Sequence, residues 1–249
     1  MASDDVQVRP YRASDFPQVR ALLFEAFLTG KGSVAAVTAR RFLWKAPMIA
    51  GYFFGLCGAV LLYYLPHWDN VPGVIGVGLA SSVFIVFFII RRAIRKAMNE
   101  FCEKVLATDM QDISAYYAPP AGFFVAVQPA KSDKKDDDAA KEEEVLGFVA
   151  LEYKPDKKTH TAELRRIVVG PKYRRRGVAK RLVGAIIEHA ESVRGLDSID
   201  LGTSEFQPAA KRLFQGLGWE FQKTDLQWLG FVDATIMRFS RPVETKKRR

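Results

Sequence analysis

The sequence predicts an α+β fold: a mixed central sheet flanked by helices, with a transmembrane helical hairpin inserted. Three observations predict it. Short β-branched runs and helical patterns follow one another from Gly122 to Phe239. Glu163 to Lys180 passes from a strand through an arginine- and glycine-containing loop into a helix start. Two charge-free stretches, Ala46–Leu65 and Val71–Ile90, each about 20 residues, match an apolar bilayer of about 30 Å at 1.5 Å rise per residue. The expected organisation is the N-terminal part of the α+β domain over 1–42, a hairpin over 43–92, the rest of the domain over 93–240 and a basic tail over 241–249.

Val6 to Pro10 alternates and predicts a short edge strand ended by proline. Ser14 and Asp15 mark the start of a helix to about Leu28, with Val19, Leu22, Leu23, Ala26 and Phe27 at helical spacing. The two apolar runs follow. Gly51, Gly55 and Gly58 in the first, and Gly73, Gly76 and Gly78 in the second, permit close helix contact. Tyr63, Tyr64 and Trp68 sit at the level of an interfacial aromatic belt. A hairpin buried inside a globule is the competing reading, and two such long charge-free runs argue against it. Lys31, Arg40, Arg41 and Lys45 precede the first run, Arg91, Arg92, Arg95 and Lys96 follow the second, and the loop between has neither Lys nor Arg. The positive-inside rule therefore puts both flanks in the cytosol, and a re-entrant hairpin gives the same sidedness.

Arg91 to Tyr117 predicts a further soluble helix, ended by Pro119-Pro120. Gly122–Gln128 and Val145–Tyr153 predict two strands, separated by a charged insertion, 131–144, expected to be disordered. His160–Val169 is the expected central strand. The helix from Gly177 to about Arg194 turns Val178, Leu182, Val183, Ile186, Ile187 and Ala190 inward and stops at Gly195. Ile199, Leu201 and Thr203 alternate as the next strand. Pro208 opens a helix that Gly218 ends, and Trp219–Phe239 supplies two closing strands.

The formal net charge of +9 points to an anionic partner. That charge is clustered beside the apolar runs, in Arg174–Arg176 and in the tail. No aromatic-interleaved basic face is present, which argues against nucleic acid. Cys57 and Cys102 have neither disulfide nor metal-ligand spacing, so no metal is expected. The acidic N-terminus does not read as a signal peptide.

The chemistry is concentrated at 163–180. The first amides of a helix lack internal partners and carry positive potential, so a strand-loop-helix turn here makes a pyrophosphate cradle. Gly177 has no Cβ and admits a phosphate to the backbone. Ala179 keeps the next position small, and Arg174, Arg175 and Arg176 add charge. The alternative is a basic surface loop ahead of an ordinary helix.

Arg174-x-x-Gly177-x-Ala179 after a strand resembles the acyl-CoA signature of the GNAT superfamily of N-acetyltransferases. The stretch Gln207 to Trp219 resembles that superfamily's second signature, Asn-x-x-Ala-x-x-Leu-Tyr-x-x-x-Gly-Phe. The two in order make the match specific. Phe214 stands where tyrosine is frequent, Gln207 where asparagine is, and Gly202 where the aspartate of one branch stands. That branch, the camello-like N-acetyltransferases, has a GNAT domain split by a hydrophobic hairpin, and Thr108–Ile113 and Leu201–Ser204 also resemble it.

The resemblance implies acetyl transfer from acetyl-CoA, as co-substrate, to a primary amine, either a small molecule or a protein lysine. It assigns pantetheine contacts to Ile167, Val168 and Val169 and pyrophosphate contacts to Arg174, Arg175, Arg176, Gly177, Val178, Ala179 and Lys180. Gln207 and Lys211 fall on the second signature's helix and join the cofactor set. Glu163 is the first candidate base, with Glu152 and His160 behind it, and an ion pair with Arg165 is Glu163's alternative role. His189 and His67 have no expected part in the chemistry. Membership of the branch also implies the endoplasmic reticulum membrane. Lys246 to Arg249 resembles a dilysine retrieval signal or is a solvated tail. Two rival functions stay open: an acyl-CoA-binding adaptor that transfers nothing, supported by Phe214, and a membrane-shaping hairpin protein.

Overall fold

The structure is a computed structural model, and residues 6–30, 32–64, 71–129, 143–153, 160–228 and 233–244 are described. Its strands are β1 (Gln7–Pro10), β2 (Gly122–Pro129), β3 (Glu143–Tyr153), β4 (Thr161–Val169), β5 (Ser198–Ser204), β6 (Glu220–Trp228) and β7 (Asp233–Pro242). Its helices are α1 (Phe16–Leu28), α2 (Val34–Phe42), α3 (Ala46–Tyr64), α4 (Val71–Ala107), α5 (Ile113–Tyr116), α6 (Val178–Ser192) and α7 (Pro208–Gly216). The strands form one seven-stranded sheet in the order β1-β2-β3-β4-β5-β7-β6. Every pairing is antiparallel except β4 with β5. That single parallel pair makes the sheet mixed, as the sequence predicts.

Each sheet face has its own core. Val178, Leu182, Val183, Ile186 and Ala190 of α6, with Phe214 of α7, pack on Leu146, Val149, Leu151, Leu164, Ile199 and Leu201. Apart from Leu146, which stands three residues from Val149, these are the positions that the 3.6-residue and two-residue periods select. On the other face, Val19, Leu22 and Leu23 of α1 and Cys102 and Val105 of α4 cover Phe123, Val125, Phe148 and Ala150. Arg9 ties the N-terminal edge together, donating to Asp15 at 2.8 and 2.9 Å and to Glu143 at 2.8 Å through Nε. Gly195, in the left-handed region at φ +76°, stands after the end of α6 as expected. Both cysteines are free thiols.

Four expectations need correcting. The helix α2 was not anticipated; Ser33 caps it, its hydroxyl accepting from the Ala36 amide at 3.2 Å. The second apolar run and the helix expected from Arg91 are one continuous α4 of 37 residues, because no proline or glycine interrupts 79–107. That helix ends at Ala107 rather than near Tyr117, with only the short α5 beyond it. Glu143 and Glu144, read as part of the insertion, are strand residues; the rest of 131–144 lies outside the described residues, as does His67.

α3 and α4 pack along their glycines. A Cβ on Gly58 would lie 2.5 Å from the Ala80 nitrogen and 2.6 Å from the Gly76 oxygen, and one on Gly55 would lie 2.5 Å from Val83 Cγ2. Backbone meets backbone there, so a side chain can only be accommodated by moving the helices apart. Among the described residues one helix, Val74–Ala107, is long and apolar enough to cross a membrane; Met48–Tyr64 is a shorter apolar helix. Phe53, Leu56, Phe84 and Phe88 are exposed on the two. We expect Gly58→Val to lower the stability of the hairpin by about 1–3 kcal/mol. Gly78→Val, whose Cβ meets nothing within 4 Å, should leave it unchanged. Thermal unfolding in micelles, followed by the α3 and α4 amides, reads both.

Candidate functional site

β4 and β5 share only a short parallel pairing, Thr161–Glu163 with Ser198–Asp200. Beyond Glu163 the strands part, while β4 stays paired with β3 as far as Val169. Among the described residues no strand pairs with the β5-facing edge of Leu164–Val169. The two C-terminal ends thus open as a V whose β4 wall is backbone edge, including Ile167, Val168 and Val169.

A β-bulge lies in that wall. Phe148 faces Val168 and Ala150 faces Arg165, so Arg166 and Ile167 together oppose Val149. Arg166 has φ +55°, a left-handed conformation for a long side chain. Such a conformation costs about 1–3 kcal/mol and persists only where surroundings hold it. Here Arg166 donates from Nε to Asp109 Oδ2 at 2.7 Å and from Nη2 to Oδ1 at 2.8 Å, a bidentate pair. Asp109 is 2% exposed and also accepts from the Tyr117 hydroxyl at 2.5 Å and the Thr108 hydroxyl at 3.0 Å. Burial, the largest influence, pushes the Asp109 carboxyl up; the hydrogen bonds from Arg166 and Tyr117 outweigh it and hold the group below the usual carboxylate range. Burial first, then Asp109, pushes the Tyr117 hydroxyl well above the ordinary tyrosine value. Bulges of this kind re-aim backbone groups beside active sites.

After Val169 the chain turns through Gly170 and a 3₁₀ turn, Pro171–Tyr173. Arg175 at φ +65° and Gly177 at φ +79° then swing the backbone into α6. No side chain caps this helix end. A Cβ on Gly177 would meet nothing within 4 Å, so the backbone there is open to an incoming group. The first backbone hydrogen bond of the helix runs from the Arg181 amide to the Gly177 oxygen. Val178 is buried, Ala179 half-buried, and Arg175 and Lys180 are exposed. The Arg174 side chain turns back, donating to the Gly32 carbonyl and, at 3.4 Å, to that of Val169. Arg176 donates to Gln128 Oε1 at 3.3 Å and stacks near the Tyr173 ring.

The charged residues of β4 lie on the α1 side of the sheet. Glu163 is about a third exposed, with Arg165 Nη2 at 2.8 Å and Arg238 Nη1 at 3.9 Å. Arg165 also reaches Glu152 Oε2 at 2.9 Å, and the Tyr116 hydroxyl donates to the buried Glu152. His160 is exposed at the head of β4, and its carbonyl accepts from the Asp197 amide. His189 Nε2 lies against the Pro120 and Ala121 carbonyls at 3.0 and 3.1 Å. Across the V, Phe214 is buried against the Trp219 ring at 5.5 Å. Gln207 stands at the head of α7 and accepts from the Thr203 hydroxyl at 3.2 Å; Lys211 is exposed. Of the site residues named from sequence, Glu163 and Ile167 to Lys180 thus lie on β4 and the turn after it, Gln207 and Lys211 follow β5, and Phe214 is enclosed in the α6-side core. The Asp109–Arg166 pair was not among them: Arg165 and Arg166 are alike in sequence, and only the bulge sends them to different acids.

Residues 91–219, just over half of the chain, match the model of the acetyltransferase (GNAT) family. The chain belongs to the GNAT acetyltransferase family. An N-acetylaspartate synthetase of Danio rerio is 35% identical over 127 residues, 50% of this chain and 39% of the relative. N-acetyltransferase 8 of Homo sapiens is 31% identical over 134 residues, 52% of each chain. Both kinds of relative belong to the camello-like branch. The chain spans about two fifths of the synthetase and about half of N-acetyltransferase 8. Among solved structures, a GNAT acetyltransferase of Staphylococcus aureus aligns with TM-score 0.52 at 12% identity, covering 96% of this chain and 99% of that one. One from Kribbella flavida aligns with TM-score 0.51 at 15% identity, covering 97% and 99%. These share the fold, and α3 and the apolar half of α4 lie upstream of the residues that the family model matches.

Proposed function

We propose that the chain is a membrane-anchored N-acetyltransferase that moves the acetyl group of acetyl-CoA to a primary amine by direct attack. The observation that carries this reading is the bare edge of β4 leading into the uncapped, glycine-led start of α6. Pantetheine has amide groups that can pair with Ile167, Val168 and Val169 as an added strand would. The pyrophosphate then falls at the amides of Gly177, Val178, Ala179 and Lys180, with Arg174, Arg175 and Arg176 around it and Gln207 and Lys211 across the V. A backbone N–H at the bulged end of β4 supplies a donor for the thioester oxygen as it becomes an oxyanion.

In the transfer, the amine nitrogen bonds to the thioester carbon, the carbon–sulfur bond breaks, and the sulfur leaves with the electron pair. The ammonium form must first lose a proton, which Glu163 takes directly or through water, and the second nitrogen proton passes to the departing thiolate as the amide forms. Arg165 and Arg238 hold that carboxylate in place. A thiol with pKa about 8.5 leaves readily as thiolate, so Phe214 costs little in the tyrosine position. Accordingly Phe214→Tyr is expected to change turnover by less than about tenfold, ~1.4 kcal/mol, in a coenzyme A release assay.

The anchoring half rests on α3 and α4, their exposed apolar faces and the basic residues at both flanks. On the positive-inside rule the transferase body faces the cytosol, and the branch points to the endoplasmic reticulum. The test of function is release of free thiol when the purified full chain is mixed with acetyl-CoA and a panel of amines. Aspartate, named for the synthetase relatives, leads the panel, with cysteine conjugates and lysine peptides beside it. Acetyl-CoA binding without thiol release from any amine would replace the enzyme by an acyl-CoA-binding adaptor.

A further inference from the structure

Residues 32–45, which join α1 to α3, run from one lip of the V to the other. At the first lip, the Gly32 carbonyl accepts from Arg174, just beyond β4, and a Cβ on Gly32 would lie 2.6 Å from Arg174 Nη1. At the second, Arg41 donates to the Glu205 carbonyl and Lys45 Nζ lies 3.6 Å from Glu205 Oε1. Glu205 is the residue after β5. Because β4 and β5 part at their C-terminal ends, these contacts stand on opposite sides of the opening, and α2 is a strap between them. Ala35, Thr38 and Phe42 are its buried side, with Ala35 and Phe42 in one cluster with Ile94 and Met98 of α4.

The far end of the strap is basic and abuts the apolar hairpin. Arg40, Arg41 and Lys45 belong to it; Arg91, Arg92, Arg95 and Lys96 occupy α4 where its apolar run ends. Among the described residues, only Lys45 and Lys96 of these seven have an acidic partner. Trp44 is 80% exposed beside them. Phe42, Leu43, Met48, Phe87 and Ile90 pack closely together there, beside Arg91. Arginines at the end of an exposed apolar run and an indole at headgroup level are complementary to an anionic phospholipid.

We propose that anionic phospholipids bind this basic collar and, by drawing Arg41 and Lys45 away from Glu205, loosen the α2 strap over the opening where acyl transfer takes place. The two cations can serve Glu205 or the lipid phosphates but not both, so the lipid stabilises the loosened state by its preferential affinity for it. The inference rests on the hairpin's lying in a bilayer.

The experiment places the full chain in nanodiscs of phosphatidylcholine alone or with about a third phosphatidylserine and follows amide exchange. Exchange over 34–42 is expected to rise at least about tenfold with phosphatidylserine. Combined Arg91→Gln, Arg92→Gln and Arg95→Gln should abolish the rise, and Arg41→Ala with Lys45→Ala, which removes both contacts to Glu205, should show fast exchange already in the neutral disc. Inorganic phosphate at high concentration should do nothing. Equal exchange in the two discs, a rise that survives in the collar variant, wild-type exchange in the Arg41→Ala, Lys45→Ala variant, or an equal response to phosphate alone would each overturn the proposal. Flotation of the chain with neutral vesicles reads the bilayer assumption separately. Failure to float removes that assumption and this proposal with it, while leaving acetyl transfer to its own assay.

Discussion

Asp109→Ala is expected to destabilise the α+β domain by about 3–5 kcal/mol, because it leaves the Arg166 guanidinium in a largely buried site without its anion. For a domain of this size that lowers the thermal midpoint by roughly 10 °C, read by tryptophan fluorescence in micelles. The effect should be strongly non-additive. Asp109→Ala with Arg166→Ala removes both charges, so the double variant should recover at least about 1 kcal/mol of the summed single losses. Arg166→Gly should be less damaging than Arg166→Ala by about 1 kcal/mol, since glycine adopts φ +55° without the Cβ penalty. Equal losses for the two would mean that the bulge collapses once Asp109 is unpaired. The pH dependence has a defined sign. Asp109 titrates lower in the folded chain than in the unfolded one, so its contribution is complete above its unfolded pKa of about 3.9 and is lost as pH falls through the folded value. Asp15 acts in the same window: its burial raises its pKa, but Arg9 and the Arg12 amide bring it below the usual range. Denaturant midpoints should therefore fall below about pH 4, and Asp109→Asn should flatten that fall.

Most of the frame was legible because short-range periodicity and tertiary packing agree. The inward stripe of α6, the alternation of Ile199, Leu201 and Thr203, and Pro208 at the head of α7 all fall where the structure has them. α2 was hidden because it is only nine residues long and its last turn carries two arginines; its buried side is set by α4, a non-local partner. The single length of α4 was hidden for the opposite reason. Arg91 and Arg92 read as a boundary, but charge does not end a helix; the end comes where the Thr108 hydroxyl turns back to the Lys104 carbonyl at 2.8 Å.

The candidate site divides along the same line. The turn proposed to hold the phosphate is a local feature, so glycine and arginine spacing picks it out. The bulge is a mismatch of register between β3 and β4, and nothing within Glu163–Val169 signals that Arg166 takes a left-handed conformation. Thr108 and Asp109 stood out only through resemblance to the branch. Their physical part, holding the guanidinium that pins the bulge, required strand register and helix end to be known together.

Gly177→Asp is expected to abolish measurable acetyl-CoA binding, a loss of at least about a hundredfold, without unfolding the chain. Two quantities support the separation. A Cβ at this position meets no protein atom within 4 Å, so the folded body does not exclude the side chain. The φ of +79° costs a non-glycine residue about 1–2 kcal/mol, less for aspartate, well below the usual stability of a domain. An aspartate here also sits at the positive end of α6, where a carboxylate is tolerated or favoured. What the substitution destroys is access. The carboxylate takes the amides meant for pyrophosphate and repels its charge at close range. Gly177→Ala, with bulk but no charge, should lose less, and the difference between the two variants measures the electrostatic share. Gly216→Ala, at the end of α7 with nothing within 4 Å of its Cβ, is the control for an open glycine outside the turn. Calorimetry with acetyl-CoA on the folded variants decides it: wild-type affinity in Gly177→Asp would place the diphosphate somewhere other than the start of α6.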